Sequence, residues 1–358
     1  MADTSAQLLD RVKQAVADNT PLAVTGGGSK AFLGRGLRGE PLSLADHTGI
    51  VSYKPVELVL TARAGTRLAD IDAALAEHNQ RLAFEPPRFG ENDTIGGTLA
   101  ANLSGPGRPW QGSVRDHVLG LRLINGRAEH LRFGGQVMKN VAGYDASRLQ
   151  AGALGTLGVI TEVSLKVLPL PAAEQTLVQP MSARDAIATM NALAGQPKPL
   201  SAACWYDGKL YLRLSGSSAA VAATAKAWCG GTDGRMDVLQ DADDFWRRLR
   251  DQRLPFFDGH RPLWRFSVNP TAVMEDIDGE ALIDWGGAQR WSRRDDGLSI
   301  MAERAARAGG QVSLFRHGDR SGEVMHPQPS PLRAIQKRLK ASFDPQGLFN
   351  ARHLYSWL

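Results

Sequence analysis

Apolar residues recur at helical spacing near the N-terminus, where Leu8, Leu9, Val12 and Val16 share one face behind Thr4 and Ser5. The same spacing returns after Thr66 with Leu68, Ile71 and Leu75, so both segments are predicted as amphipathic helices. Short apolar runs at 21–25, 57–63 and 117–124 read as strands, and the pair Asn125-Gly126 after the last predicts a two-residue hairpin turn. The clearest alternation comes later. Val159, Thr161, Val163, Leu165 and Val167 point one way and Ile160, Glu162, Ser164 and Lys166 the other, the period of a strand with one face buried.

Beyond Pro169 and Pro171, strand patterns at 201–206, 209–214, 262–268 and 311–316 alternate with helix patterns at 217–228, 242–250 and 298–308. That mixture predicts an antiparallel sheet backed by helices. A last helix pattern, 331–341, and the turn Asp344-Pro345-Gln346-Gly347 would return the chain to its first part. Composition shifts at the same point: 22 of 38 glycines precede it, whereas seven of eight tryptophans follow it. With 358 residues the chain is long enough for two cores, and the class is α+β. The expected parts are 1–172, 173–325 and a C-terminal segment, 326–358.

The glycines concentrate the candidate chemistry. Gly26, Gly27, Gly28, Ser29 and Lys30 follow a predicted strand directly, and consecutive glycines there would aim several N–H groups into one concavity suited to pyrophosphate oxygens. No GxxxxGK[ST] occurs and no helix pattern follows promptly, so neither a P-loop nor a helix dipole is expected. A second cluster is Thr94, Ile95, Gly96, Gly97 and Thr98. A third, Ser104, Gly105, Pro106 and Gly107, runs on to Gly112, Arg115 and Asp116. Gly152, Gly155 and Gly158 lead into the long strand at Val159 and Ile160. By spacing alone these glycines fit either a ligand's close approach or a bulged strand entrance.

The order of five motifs carries a resemblance: TGGGSKAFLG, NDTIGGTLAANLSGPG, GSVRDHVLGLRLINGR, KNVAGYD and GTLGVITEVSLKVLP. In this order the chain resembles the PCMH-type FAD-binding flavoproteins of the vanillyl-alcohol oxidase and D-lactate dehydrogenase kind. With its length, KNVAGYD and the ending LKASFDPQGLFNARHLY, it is most similar to the FAD-binding E subunits of bacterial glycolate oxidases. The resemblance implies a two-subdomain FAD-binding domain, a cap domain and a short return segment. It implies FAD, held non-covalently because the first glycine loop has neither histidine nor cysteine. The pyrophosphate would lie on Gly26 to Lys30 and the ring by Thr94 to Gly97 and Ser104 to Gly105. Gly112, Arg115 and Asp116 would complete the site, with Gly158, Val159 and Ile160 on the adenine side. It further implies oxidation of glycolate to glyoxylate with a homologous larger FAD subunit and an iron–sulfur subunit. Two alternatives stay open: a scaffold that retains FAD without turnover, and a stand-alone dehydrogenase of another 2-hydroxy acid.

Related enzymes carry a segment of the form HxGDGNxH, which resembles FRHGDRSGEVMHP here. His317 and His326 survive and are the candidate catalytic residues, but the GDGN core is lost and no metal is expected. Arg88, Arg316 and Arg320 are candidate carboxylate partners. The net charge of +5 comes without a block of five like charges, so no nucleic-acid partner is indicated. Two cysteines, Cys204 and Cys229, cannot supply a four-thiolate cluster. No transmembrane segment or signal peptide is read, which gives a cytoplasmic chain held near a membrane, if at all, by its partners.

Overall fold

The computed structural model describes residues 2–135, 145–230, 236–273 and 281–358. Most of KNVAGYD therefore lies outside the described residues. The chain divides into two compact units: Met1–Leu103, Ser113–Pro169 and Asp319–Leu358 form the first, Ser104–Gly112 and Leu170–Gly318 the second.

In the first unit the helix Ser5–Asp18 buries Leu8, Val12 and Ala15 and ends on Asn19 in the left-handed region. The helix Leu68–Ala76 buries Leu68, Ile71 and Leu75 completely, each worth about 1.5–3 kcal/mol of hydrophobic burial. Both pack into a core shared with an antiparallel sheet whose strands run Ile50–Lys54, Val59–Arg63, Val159–Lys166, Val118–Ile124 and His130–Gly134 in space.

Two sequence expectations change here. The strand Val159–Lys166 is central; the face of Val159, Thr161, Val163 and Leu165 is buried as expected, and on the other face Ile160 and Ser164 are buried as well while Glu162 and Lys166 stay half-buried. Ser164 is buried because its hydroxyl pairs with Thr61 at 2.9 Å, which offsets the cost of its desolvation. The hairpin after Ile124 has a loop of residues 125–129 in place of two, because Asn125 Oδ1 accepts the N–H groups of Arg127 and Glu129 (both 3.0 Å) and Gly126 N–H donates to Phe343.

The C-terminal segment returns to this unit. Leu22 N–H donates to Leu348 and Asn350 N–H to Leu22, extending the strand Leu22–Thr25, which pairs in parallel with Glu40–Ser43. The helix Ser330–Phe343 buries Lys340, whose Nζ donates to Asp344 (2.7 Å), Thr156 O (2.6 Å) and Phe349 O (2.8 Å).

The second unit is an eight-stranded antiparallel sheet ordered Asp237–Val238, Ala173–Pro180, Lys209–Gly216, Leu200–Tyr206, Ala281–Asp284, Gln289–Arg293, Leu263–Ser267, Gln311–Arg316. Helices Ala183–Ala194 and Ser218–Cys229 contribute Ala186, Met190, Val221 and Ala225 to its core. The strand Gln289–Arg293 lacks an apolar alternation because Arg290 and Arg293 are buried by donating to backbone carbonyls, among them Gly287 (3.0 Å) and Phe256 (2.7 Å).

Candidate functional site

Where the strand Leu22–Thr25 ends, the chain enters Gly26-Gly27-Gly28 and forms the floor of an open cleft with about 800 Å³ of empty space. A methyl group added to Gly27 would stand 1.6 Å from the Asn92 carbonyl oxygen, and Gly28 has φ +76°, so both positions favour glycine. Among the described residues, the N–H groups of Gly27, Gly28 and Ser29 donate to no other group. Three orphaned donors beside an open cleft are a ready anion site.

Asp93 fixes this loop. Its carboxylate pairs with Lys30, accepts the Ser29 hydroxyl, and accepts the N–H groups of Phe89 (2.7 Å) and Gly90 (3.1 Å). Burial alone would raise the Asp93 pKa, but Lys30 and these hydrogen bonds outweigh it and hold the carboxyl below its ordinary value. Lys30 is pulled down by burial, against the opposing charge of Asp93. Next door, Thr94 caps the helix Ile95–Ala101 by accepting from Gly97 N–H at 3.2 Å.

Of the residues singled out in the sequence, Gly26, Gly27, Gly28, Ser29, Lys30, Thr94, Gly96, Gly97, Gly158 and Ile160 line this one cleft. Ile95 and Val159 are fully buried behind it in the core. The others lie apart. Ser104, Gly105 and Gly112 belong to the second unit. Arg115 and Asp116 sit exposed on the short helix Val114–His117, where Asp116 completes a capping box with Ser113. His317 is exposed at the end of the second unit's last strand with φ +59°, whereas His326 belongs to the first unit and buries an unpartnered Nδ1. Arg88 is paired with Asp72, and Arg320 donates to Gly34 O at 2.6 Å.

Sequence reasoning missed Asn350 and His353, which reach the cleft from the C-terminal segment. Asn350 binds Val24 N–H (2.7 Å), Val24 O (3.2 Å) and Leu154 O (2.8 Å), tying the floor strand to the loop before Gly155. His353 Nδ1 is engaged by Arg35 O, and burial holds its pKa below the ordinary value. Their only sequence signal is the polar interruption in LFNARHLY.

A donor-rich glycine floor that a Cβ would close fits a dinucleotide pyrophosphate, and the fold gives the class. The description "FAD binding domain" matches residues 1–134. A solved structure of alkyldihydroxyacetonephosphate synthase superposes over 97% of this chain and 75% of its own with a TM-score of 0.66, at 15% identity. The chain is thus a flavoprotein of the PCMH-type FAD-binding class, and its cofactor is FAD. More particularly, it belongs to the family of glycolate oxidase subunit GlcE: the Escherichia coli (strain K12) protein of that name is 46% identical over 356 residues, 99% of either chain. Shorter matches join it to glycolate oxidase subunit GlcD of Bacillus subtilis (strain 168), 36% identical over 33% of this chain and 26% of that one. The D-lactate dehydrogenase of Anaerostipes hadrus is 32% identical over 42% and 32%. Among the described residues, no helix is long and apolar enough to cross a membrane.

Proposed function

We propose that this chain is the FAD-binding subunit of a multi-subunit, cytoplasmic glycolate oxidase, taking part in the oxidation of glycolate to glyoxylate and passing electrons to an iron–sulfur partner. The observation that carries this reading is the donor-lined glycine cleft in a chain matched from end to end by a glycolate oxidase subunit. Bound there, FAD supplies the acceptor for the two electrons that leave the substrate carbon. The chain's own residues would hold it: the N–H groups of Gly27, Gly28 and Ser29 would donate to the pyrophosphate, and Asp93 with Lys30 keeps that loop in place. Non-covalent attachment is part of this proposal: the glycine loop Gly26–Lys30 carries neither histidine nor cysteine, and no cysteine is among the described residues that line the cleft.

Substrate oxidation also needs a base for the hydroxyl proton. His326 is the proposed acceptor, neutral at pH 7 because burial lowers its pKa and carrying an unpartnered Nδ1; His317 is the second candidate. Electrons then leave the chain, because Cys204 and Cys229 are too few to hold a four-thiolate cluster. A homologous larger flavin subunit and an iron–sulfur subunit complete the path in this proposal.

A second reading, an FAD-retaining subunit without turnover, is favoured by one observation: the histidine segment is divided between the two units, with His317 exposed. The deciding experiment is anaerobic addition of glycolate, and separately D-lactate, to the purified chain while its visible spectrum is recorded. Bleaching of the flavin bands supports direct oxidation. Bands that bleach only with the partner subunits support the relay, and a chain unable to take up FAD overturns the proposal.

A further inference from the structure

The helix Ser330–Phe343 runs for 14 residues and buries one side chain, that of Lys340. A helix of that length in a folded protein ordinarily covers an apolar stripe, because packing supplies more of its stability than propensity does. Here the stripe exists but faces solvent. Leu332 is 44% exposed and Ile335 50%, and the half-buried Leu339 continues them. Positions 332, 335 and 339 follow the spacing i, i+3, i+7, which sets the three on one face in the manner of a helix-pairing seam. Scattered exposed leucines are ordinary, whereas apolar side chains in register along a helix that covers so little else mark an interaction surface.

The charges on this helix act against it. It carries Arg333, Lys337, Arg338 and Lys340 and no acidic residue. Arg333 and Lys337 stand at i,i+4, and Lys337 and Lys340 at i,i+3, so like charges are neighbours. Arg333 also ends the first turn, at the positive end of the helix dipole. Lys340 is paired with Asp344 at 2.7 Å. Among the described residues, the side chains of Arg333, Lys337 and Arg338 form no ion pair and no hydrogen bond. Two of them are fixed against an aromatic ring instead. Trp357 stacks on Tyr355 with ring centres 4.7 Å apart, and its own centre lies 5.0 Å from Arg333 and 6.0 Å from Lys337. Such contact holds a cation in place without neutralising it. Arg338 borders the stripe, three residues on from Ile335 and next to Leu339. A helix is about 10–12 Å across and the Debye length is about 8 Å at physiological salt, so all three charges act on whatever rests on the stripe.

This distribution selects one kind of occupant. A second copy of the chain, in an isologous contact, would bring the same cations face to face. A lipid surface calls for a broader apolar face with free aromatic anchors, and Trp357 is taken up by Tyr355 and its two cations. An acidic helix with an apolar seam of its own answers both features, covering the three aliphatic side chains and bringing carboxylates to the guanidiniums. We propose that Leu332, Ile335 and Leu339, with Arg338, Arg333 and Lys337 around them, dock an acidic amphipathic helix of a partner subunit. The proposal rests on the multi-subunit part of the glycolate oxidase reading and not on turnover by this chain.

The test is biolayer interferometry between the full FAD-loaded chain and the larger flavin and iron–sulfur subunits, purified together, over a range of salt concentrations. The parent's association rate is expected to fall as salt rises. Leu332→Asp combined with Ile335→Asp should bind at least about thirtyfold more weakly, because docking would bury two unpaired carboxylates in the seam. Arg338→Glu should slow association about tenfold at low salt and by less at high salt. Since these side chains are exposed, FAD content and melting temperature should match the parent's; if the double variant fails to fold, Ile335→Ser takes its place. Val56→Asp, at a valine 99% exposed in the same unit, is the control and should bind as the parent does.

Parent-like binding by the double variant overturns the proposal, as does an equal loss in Val56→Asp. An association rate untouched by Arg338→Glu overturns the acidic partner. If the double variant keeps its subunit binding but loses binding to phosphatidylglycerol vesicles, or loses self-association, the surface belongs to a membrane or to a second copy and the proposal falls. The two readings fail distinguishably. A parent chain that binds neither subunit removes the multi-subunit reading and the surface with it, whereas subunit binding indifferent to the helix removes the surface alone.

Discussion

Gly27 and Asp93 show how much of the candidate site rests on single atoms. Gly27→Ala must displace the Asn92 carbonyl, which lies 1.6 Å from the new methyl. Its FAD affinity should fall by more than about tenfold, since overpacking a fixed backbone costs roughly 1–3 kcal/mol; equilibrium dialysis with FAD measures this. Asp93→Asn leaves Lys30 buried without its counter-charge and should weaken FAD similarly, with a lower melting temperature. An unchanged affinity in both would detach the loop from the cofactor. Histidine gives a pH dependence at this scale. His47, His130, His326 and His353, all in the first unit, have pKa values lowered by burial. The unfolded chain therefore binds more protons than the folded one as pH drops through about 6.5. The stability they contribute is present in full above that pH and is lost as pH falls through the folded values. His47 Nδ1 accepts the Thr4 N–H at 3.1 Å, a bond that protonation breaks. His47→Gln should accordingly flatten the fall in melting temperature between pH 7 and 5.

Among the elements, the helix Ser330–Phe343 is held mainly by a polar anchor. Only Lys340 is buried along it, and that ammonium joins Asp344, Thr156 and Phe349. Lys340→Met strands a buried carboxylate and should cost about 3–5 kcal/mol in chemical denaturation. A loss below 1 kcal/mol would mean that the Leu348 and Phe349 N–H groups satisfy Asp344 unaided. Asn350 works in the same way at the strand Leu22–Thr25. Replacing it by alanine leaves three backbone groups unpaired, and each buried orphan costs about 1–3 kcal/mol. Amphipathic helices such as Leu68–Ala76 were legible because their apolar period reports burial directly. The strand Gln289–Arg293 was not, since its arginines are buried by carbonyls that only the fold supplies.

At the scale of the molecule, the two units carry separate hydrophobic cores. With FAD proposed to sit in the cleft of the first, saturating cofactor should raise one unfolding transition and leave a second unmoved. At a free concentration of one hundred times Kd the expected gain is about 2.7 kcal/mol. A single transition that shifts as a whole would instead show the units to be cooperative. The short segment Ser104–Gly112 illustrates what sequence order conceals: it lies between two stretches of the first unit yet belongs to the second, where Gly105 O receives the Trp285 indole N–H.

Local rules determined the α+β class and the glycine floor, because helical period, strand alternation and the need for backbone without Cβ are written in neighbouring residues; the cofactor class came from the resemblance that five motifs in order carry. Tertiary structure alone decided which distant groups complete the cleft. Asn350 and His353 meet the loop at Gly26 across more than three hundred residues. The same holds for Arg265, which among the described residues meets no carboxylate, a fact set by its strand neighbours and Arg108. A side chain's partners are set by pairing and packing over long separations, and no local period encodes them.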